Sequence, residues 1–158
     1  MTDMLVKLYK LPPLDLEAQR ASGVVVRRAM PAEKLLTLDW IGAHFYPAWV
    51  SECDVAFSHV PIGCFLAVQN RTLLGFACYD ATNRGCFGPT GVAETARGRG
   101  IGRALLLACL HDMRAQGYGY AIIAWIGPRE FYEKTVGATV IEDSSPGVYD
   151  GVLTGQPE

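Results

Sequence analysis

The run Val92-Ala93-Glu94-Thr95-Ala96-Arg97-Gly98-Arg99-Gly100-Ile101-Gly102-Arg103-Ala104-Leu105 decides how this chain is read. Three glycines, Gly98, Gly100 and Gly102, alternate with Arg97, Arg99, Ile101 and Arg103, and an apolar stripe of helical spacing begins at once. The residues just before, Cys86 to Ala93, read as a β-strand interrupted by Gly88 and Pro89. A glycine-rich turn that opens a helix leaves backbone N–H groups unpaired and facing outward, and the helix dipole favours negative charge there. Arginines on the same turn add paired donors for phosphate oxygens. Each glycine in a first helical turn costs up to ~1 kcal/mol relative to alanine. Three of them need a reason, and a pyrophosphate supplies one.

Three phosphate-binding patterns compete for this turn. A P-loop requires Gly-x-x-x-x-Gly-Lys-Ser/Thr, which occurs nowhere in the chain. A dinucleotide fingerprint requires Gly-x-Gly-x-x-Gly near the first strand of a domain; here Arg103 stands where the third glycine belongs, and the turn lies past mid-chain. The third pattern, Arg/Gln-x-x-Gly-x-Gly/Ala, is met by Arg97, Gly100 and Gly102. With Val92 five residues before the arginine, the segment resembles the acetyl-CoA-binding motif of the GCN5-related N-acetyltransferase (GNAT) family. The resemblance implies acetyl-CoA as co-substrate, with CoA held by Gly91, Val92, Arg97, Gly98, Arg99, Gly100, Ile101, Gly102 and Arg103. No metal is implied.

Composition narrows the alternatives. The chain has 158 residues, half of them hydrophobic, 19% charged, with a net charge of −2. That is enough for one domain with a real core, and it argues against disorder and against a general electrostatic grip on nucleic acid. The longest apolar run, Ala104 to Leu110, is far short of the ~20 residues a membrane span needs. Charged residues from Asp3 to Glu17 occupy the place of a signal peptide's apolar segment, so a cytosolic protein is expected. Five cysteines and three histidines are scattered without metal-knuckle spacing; they read as reduced thiols packed as small hydrophobes, not as a zinc site or disulfide framework.

The periodicities give strands over Met4–Tyr9 and Val24–Arg28, with a turn or two of helix over Asp15–Ala21 between them. A helix from Ala32 carries Leu35, Leu38, Ile41 and Phe45 on its apolar face, and a second after Pro47 carries Trp49, Val50, Cys53, Ala56 and Phe57. A hairpin turning at Gln69-Asn70-Arg71 and a strand over Cys86–Ala93 make an antiparallel meander. After the glycine turn, a helix buries Ile101, Leu105, Leu106, Cys109, Leu110 and Met113 and stops at Gln116-Gly117. A buried strand over Ala121–Ile126, a short helix over Arg129–Thr135 and closing strands over Ala138–Ile141 and Val148–Leu153 complete the chain. This order also resembles the GNAT family over residues 24–153. It implies an α/β (α+β) fold: a mixed, mainly antiparallel central sheet, helices on both faces, and a splayed central strand pair. Residues 1–22 are read as an extra strand or arm, and 23–158 as the acetyltransferase domain.

The chemistry follows from the resemblance. The strand before the turn offers free backbone N–H groups, with the acetyl carbonyl near the N–H of Val92. The segment Phe131-Tyr132-Glu133-Lys134 resembles the family's Phe-Tyr-x-Lys, whose tyrosine serves as general acid toward the CoA sulfur; Tyr132 is the catalytic candidate. One extra residue before Gly137, Ala138 in place of an aromatic, and Ile126-Gly127-Pro128 in place of an asparagine depart from the family pattern. Glu94, Asp80 and Asp54 are candidate bases with no choice among them. Cys109 and Cys86 are poor candidates for an acyl-enzyme, which favours direct transfer.

Substrate choice is expected from Pro31–Pro61, rich in aromatics beside Glu52, Asp54 and His59, and from a hairpin around Ser144–Tyr149. The leading function is therefore an acetyl-CoA-dependent N-acetyltransferase acting on a primary amine of a small molecule or peptide. It would have no nucleic-acid or membrane partner, and a homodimer is compatible. The alternative is a non-catalytic acyl-CoA-binding regulatory module, and a weaker third reading is an unrelated nucleotide binder.

Overall fold

A computed structural model describes residues 1–154. Seven strands form one sheet in the order β2-β3-β4-β5-β6-β1-β7. These are β1 (Asp3–Lys7), β2 (Val24–Arg28), β3 (Cys64–Gln69), β4 (Thr72–Tyr79), β5 (Cys86–Val92), β6 (Tyr120–Ile123) and β7 (Thr139–Ile141). All neighbours are antiparallel except β5 and β6. The helices are α1 (Glu17–Ala21), α2 (Lys34–His44), α3 (Pro47–Phe57), α4 (Ile101–Ala115) and α5 (Arg129–Val136). No described helix is long and apolar enough to cross a membrane.

The meander forms for local reasons. Asn70 and Arg71 both adopt left-handed backbone (φ 49° and 64°), as the tight turn between twisted antiparallel strands demands. Alternation along β3 and β4 then fills both sides of the sheet. On one side α4 buries Ile101, Leu105, Leu106, Cys109, Leu110 and Met113, against Val24, Ala67, Ala77 and Phe87. On the other, α2 and α3 close a second core around Ile41, Cys53, Ala56, Phe57, Leu66 and Phe76.

Three expectations need correction. Leu35 does not face the core: it is 73% exposed, and the inward positions of α2 are Thr37 and Ile41, one turn apart. The reason is that Pro31–Glu33 forms a separate 3-10 turn and α2 starts only at Lys34, which leaves Leu35 on an overhanging first turn. The N-terminal strand ends at Lys7, with Leu8–Lys10 coiling into a 3-10 turn. Finally, Val148–Leu153 is not a strand and Ser144–Tyr149 is not a hairpin. The place beside β7 is taken by β1, and the segment turns at Gly147 (φ 66°) into a 3-10 turn over Gly147–Tyr149.

The strand from the first 22 residues lies inside the sheet. β1 pairs with β6 on one side and β7 on the other, and Met4, Val6 and the following Leu8 are fully buried.

Candidate active site

The parallel pairing of β5 with β6 is short. It joins Cys86 to Ile122 and Phe87 to Ile123 and then ends, while β5 runs on to Val92. The register of β5 against β4 shifts between Ala77 and Tyr79, opposite Gly88-Pro89, where the sequence predicts an interruption. From there β5 stays with β4 and departs from β6. The Ala93 N–H donates to the Leu74 carbonyl. Alternation therefore turns the N–H groups of Val92 and Thr90 away from β4, into the wedge between the two strands.

At the end of β5, Glu94–Ala96 makes a 3-10 turn and the glycine turn follows. Gly98 and Gly100 are left-handed (φ 77° and 73°), and Gly100 is the residue that caps α4. The first helical bond runs from the Ala104 N–H to the Gly100 carbonyl. No backbone N–H from Gly98 to Arg103 meets a protein acceptor, and no side chain caps the helix. A Cβ on Gly98 would meet nothing within 4 Å. Arg97 is tied by its Nε to the Val92 carbonyl at 3.3 Å, and Arg99 donates to Gln69 Oε1. Among the described residues no carboxylate pairs with Arg97, Arg99 or Arg103, so the turn keeps its full positive charge. A row of free N–H donors at a helix start, flanked by unneutralised arginines and open space, fits a pyrophosphate in charge and in donor geometry.

Tyr132 stands at the point where the wedge opens. Its ring meets Phe87, the last residue of β5 paired with β6, edge-on at 6.5 Å between centroids. The side chain is 95% buried by its neighbours, yet its hydroxyl has no hydrogen-bond partner and is not sealed off. Burial alone pushes its pKa up to about 12. It is a protonated phenol with its donor uncommitted.

The opposite face of the wedge is aromatic. Phe45, at the α2–α3 junction, lies directly over β5: a Cβ on Gly91 would sit 2.5 Å from its ring, so any larger residue there would force the ring to move. Phe45 packs with Trp40, Trp49 and Phe76 at centroid distances of 5.7, 5.3 and 5.9 Å. One turn after Trp49, Glu52 Oε1 accepts hydrogen bonds from the Thr82 and Tyr149 hydroxyls, both at 2.8 Å. The Tyr149 ring packs on Trp125 at 5.0 Å, just beyond β6. Trp125 has left-handed backbone (φ 50°), held by its N–H to Asp3 Oδ1 and its indole N–H to the Pro146 carbonyl. Such a conformation costs about 1–3 kcal/mol and persists only where the surroundings impose it.

The candidate bases lie elsewhere. Asp54 is exposed and pairs with Lys34 at 2.6 Å, Asp80 accepts from the Tyr118 hydroxyl and the Gly85 N–H, and Glu94 is exposed in the 3-10 turn. Sequence reasoning missed the grouping of Glu52, Thr82, Trp125 and Tyr149. No local signal marks it, because Glu52 and Tyr149 are 97 positions apart. A surface hollow of about 380 Å3 lies by Lys7, Lys10 and the C-terminal end of α5, away from the wedge.

Residues 31–138 match the Acetyltransferase (GNAT) family. The chain belongs to that family. Among solved structures, it is similar to a glucosamine N-acetyltransferase region of a fungal multi-domain GH3 β-N-acetylglucosaminidase (TM-score 0.72, 17% identity, covering 89% of this chain and 19% of that one). It is also similar to GCN5-related N-acetyltransferases from Sphaerobacter thermophilus (TM-score 0.66, 21% identity, 89% and 48% covered) and Kribbella flavida (0.56, 14%, 88% and 53%). The chain thus spans about half of these last two structures or less of the first, and at these identities the likeness is one of fold. No curated protein matches the sequence. Within this GNAT chain, β1, α1, β2 and β7 lie outside the family match, whereas the wedge, the turn and Tyr132 lie inside it.

Proposed function

We propose that this GNAT chain is an acetyl-CoA-dependent N-acetyltransferase that passes the acetyl group to a primary amine by direct attack in a ternary complex. The observation that carries the reading is the row of acceptor-less N–H groups from Gly98 to Arg103 at the open end of the β5–β6 wedge. Gly98–Arg103 would hold the pyrophosphate, and Gly91 and Val92 the arm that runs along the wedge, with the Val92 N–H polarising the thioester carbonyl. The amine nitrogen attacks that carbonyl carbon as the C–S bond breaks. Tyr132 donates its phenolic proton to the departing sulfur.

The amine would enter from the aromatic side, where Trp49 and Trp125 offer apolar walls. Glu52 has only one oxygen engaged by hydroxyls and is left to attract a cation or to take the amine proton through water. Direct transfer is supported by the thiols. Cys109 is fully buried and Cys86 nearly so, and burial pushes both above the ordinary thiol range, so neither rests as a thiolate nucleophile.

Gly102→Asp tests the cofactor assignment. A Cβ at Gly102 meets only Val92 Cγ2 at 3.7 Å, an ordinary contact, and a carboxylate in the first turn favours the helix dipole. The fold should be kept or slightly stabilised, while repulsion of the pyrophosphate weakens CoA binding about 10- to 100-fold, roughly 1.4–2.8 kcal/mol. Unchanged CoA affinity in a calorimetric titration of the folded variant would remove the assignment. Release of CoA from acetyl-CoA across a panel of amines tests the reaction.

A further inference from the structure

Three of the five cysteines, dispersed in sequence, meet in the second core. Cys53 comes from the middle of α3, Cys64 from the start of β3 and Cys78 from near the end of β4, and all three are fully buried. Cys64 and Cys78 are register partners. The Tyr79 N–H bonds to the Gly63 carbonyl next to them, so theirs is a non-hydrogen-bonded antiparallel pair, in which facing side chains come closest. α3 lowers Cys53 onto that pair. Its Sγ lies 3.5 Å from Cys78 and 4.0 Å from Cys64, and all three sulfurs fall within 4.8 Å of one another. Three thiolates on one pyramidal centre, with bonds of about 2.3 Å, sit roughly 3.4–3.8 Å apart. Cys53 and Cys78 already stand at that spacing, and Cys64 closes in on binding.

The surroundings restrict what fits. Ile41, Ala56, Phe57 and Phe76 are in the same core, and no histidine or carboxylate joins the group among the described residues. A divalent ion on three thiolates would bury one uncompensated negative charge and a monovalent ion two, at a cost of several kcal/mol per charge. A trivalent centre on three thiolates is neutral.

We propose that Cys53, Cys64 and Cys78 form a three-thiol site for a trivalent thiophilic metalloid, entering as arsenous acid. The exchange balances without a change of oxidation state. Three As–O bonds break and three As–S bonds form, and the three thiol protons leave with the three hydroxyls as three waters. No net charge enters the core. Cys53 bridges the other two: the S–H of Cys78 donates to its Sγ at 3.5 Å, and Cys64 Sγ lies 4.0 Å away. The loaded site ties α3 to β3 and β4. Cys86 and Cys109 stand outside the triangle, Cys109 on the α4 side with its S–H on the Ala77 carbonyl.

The test uses the whole reduced chain, incubated with arsenous acid and freed of excess by gel filtration. The expected result is one arsenic per chain, an intact mass raised by one arsenic less three hydrogens, and a fall in titratable thiols from five to two. Cys53→Ala and Cys78→Ala, folded by circular dichroism, should each weaken retention roughly 10²-fold, because the third bond of a chelate forms at high effective concentration; Cys86→Ala should not weaken it. Loss of all arsenic from the folded wild type would overturn the proposal. So would an adduct that keeps a hydroxyl and consumes only two thiols, retention by the folded Cys53 and Cys78 variants equal to that of the wild type, or zinc held one-to-one in arsenic's place. If a variant does not fold, the wild-type mass and thiol count decide alone.

Discussion

The two halves of the sheet, on either side of the β5–β6 wedge, are built differently. β2 to β5 follow one another in chain order as antiparallel neighbours, and the hairpin between β3 and β4 needs only a two-residue turn. β6, β1 and β7 come from both ends of the described chain, with the N-terminal strand in the middle. The first half carries the turn with its free backbone donors and lies mostly within the family match. The second carries Tyr132 and Trp125, and its order depends on a strand that the match does not reach. The difference teaches that half of this site rests on local structure and half on a long-range pairing.

The largest effect should come from removing that pairing. Deleting residues 1–10 takes away β1 and the burial of Met4, Val6 and Leu8, roughly 5–9 kcal/mol at 1.5–3 kcal/mol each. That is on the scale of a domain's whole stability. The shortened chain should lose its cooperative thermal transition; a transition within a few degrees of wild type would show that the second half stands without β1.

Within an intact sheet, Tyr132→Phe should keep CoA affinity and slow transfer about 10²-fold or more, including at saturating acetyl-CoA. A wild-type rate would reduce the ring to packing against Phe87. A smaller effect belongs to Glu52→Gln, which keeps the acceptor for Thr82 and Tyr149 but removes the charge. The expected change is about tenfold in kcat/KM for a cationic amine, with no change in CoA binding, and an equal loss with a neutral amine would make Glu52 structural.

The smallest effect is one of pH. With Tyr132 pushed up to about 12, its proton is retained through neutral and mildly alkaline solution. The rate should therefore rise as the amine deprotonates and then level off, with no fall below pH ~10. A descending limb between about pH 7 and 9 would assign the acid to another group. The sign for stability agrees: the folded value is raised, so the unfolded chain gives up this proton first. The contribution is whole below pH ~10 and is lost as pH climbs from 10 toward 12.

How far the site was legible depended on distance along the chain. Gly98, Gly100 and the stripe from Ile101 to Met113 could be read because a turn and the helix it opens are contiguous, and glycine spacing alone marks left-handed positions. The interruption at Gly88-Pro89 was legible for the same reason. Leu35 misled because hydrophobicity shows a helix's apolar face but not which of its turns overhangs the sheet.

The sequence by itself determined the fold class, the order of most elements, the phosphate-type turn and the candidate tyrosine. The turn rests on spacing within a few residues, where backbone sterics act directly, and the fold class and the tyrosine on the resemblance that such short segments carry. Tertiary structure alone decided that β1 lies between β6 and β7, that Phe45 covers Gly91, that Glu52 meets Tyr149, and that Cys53, Cys64 and Cys78 share one core. Those contacts join residues dozens of positions apart, and which of many apolar or polar side chains meet is settled only when the sheet and helices pack together.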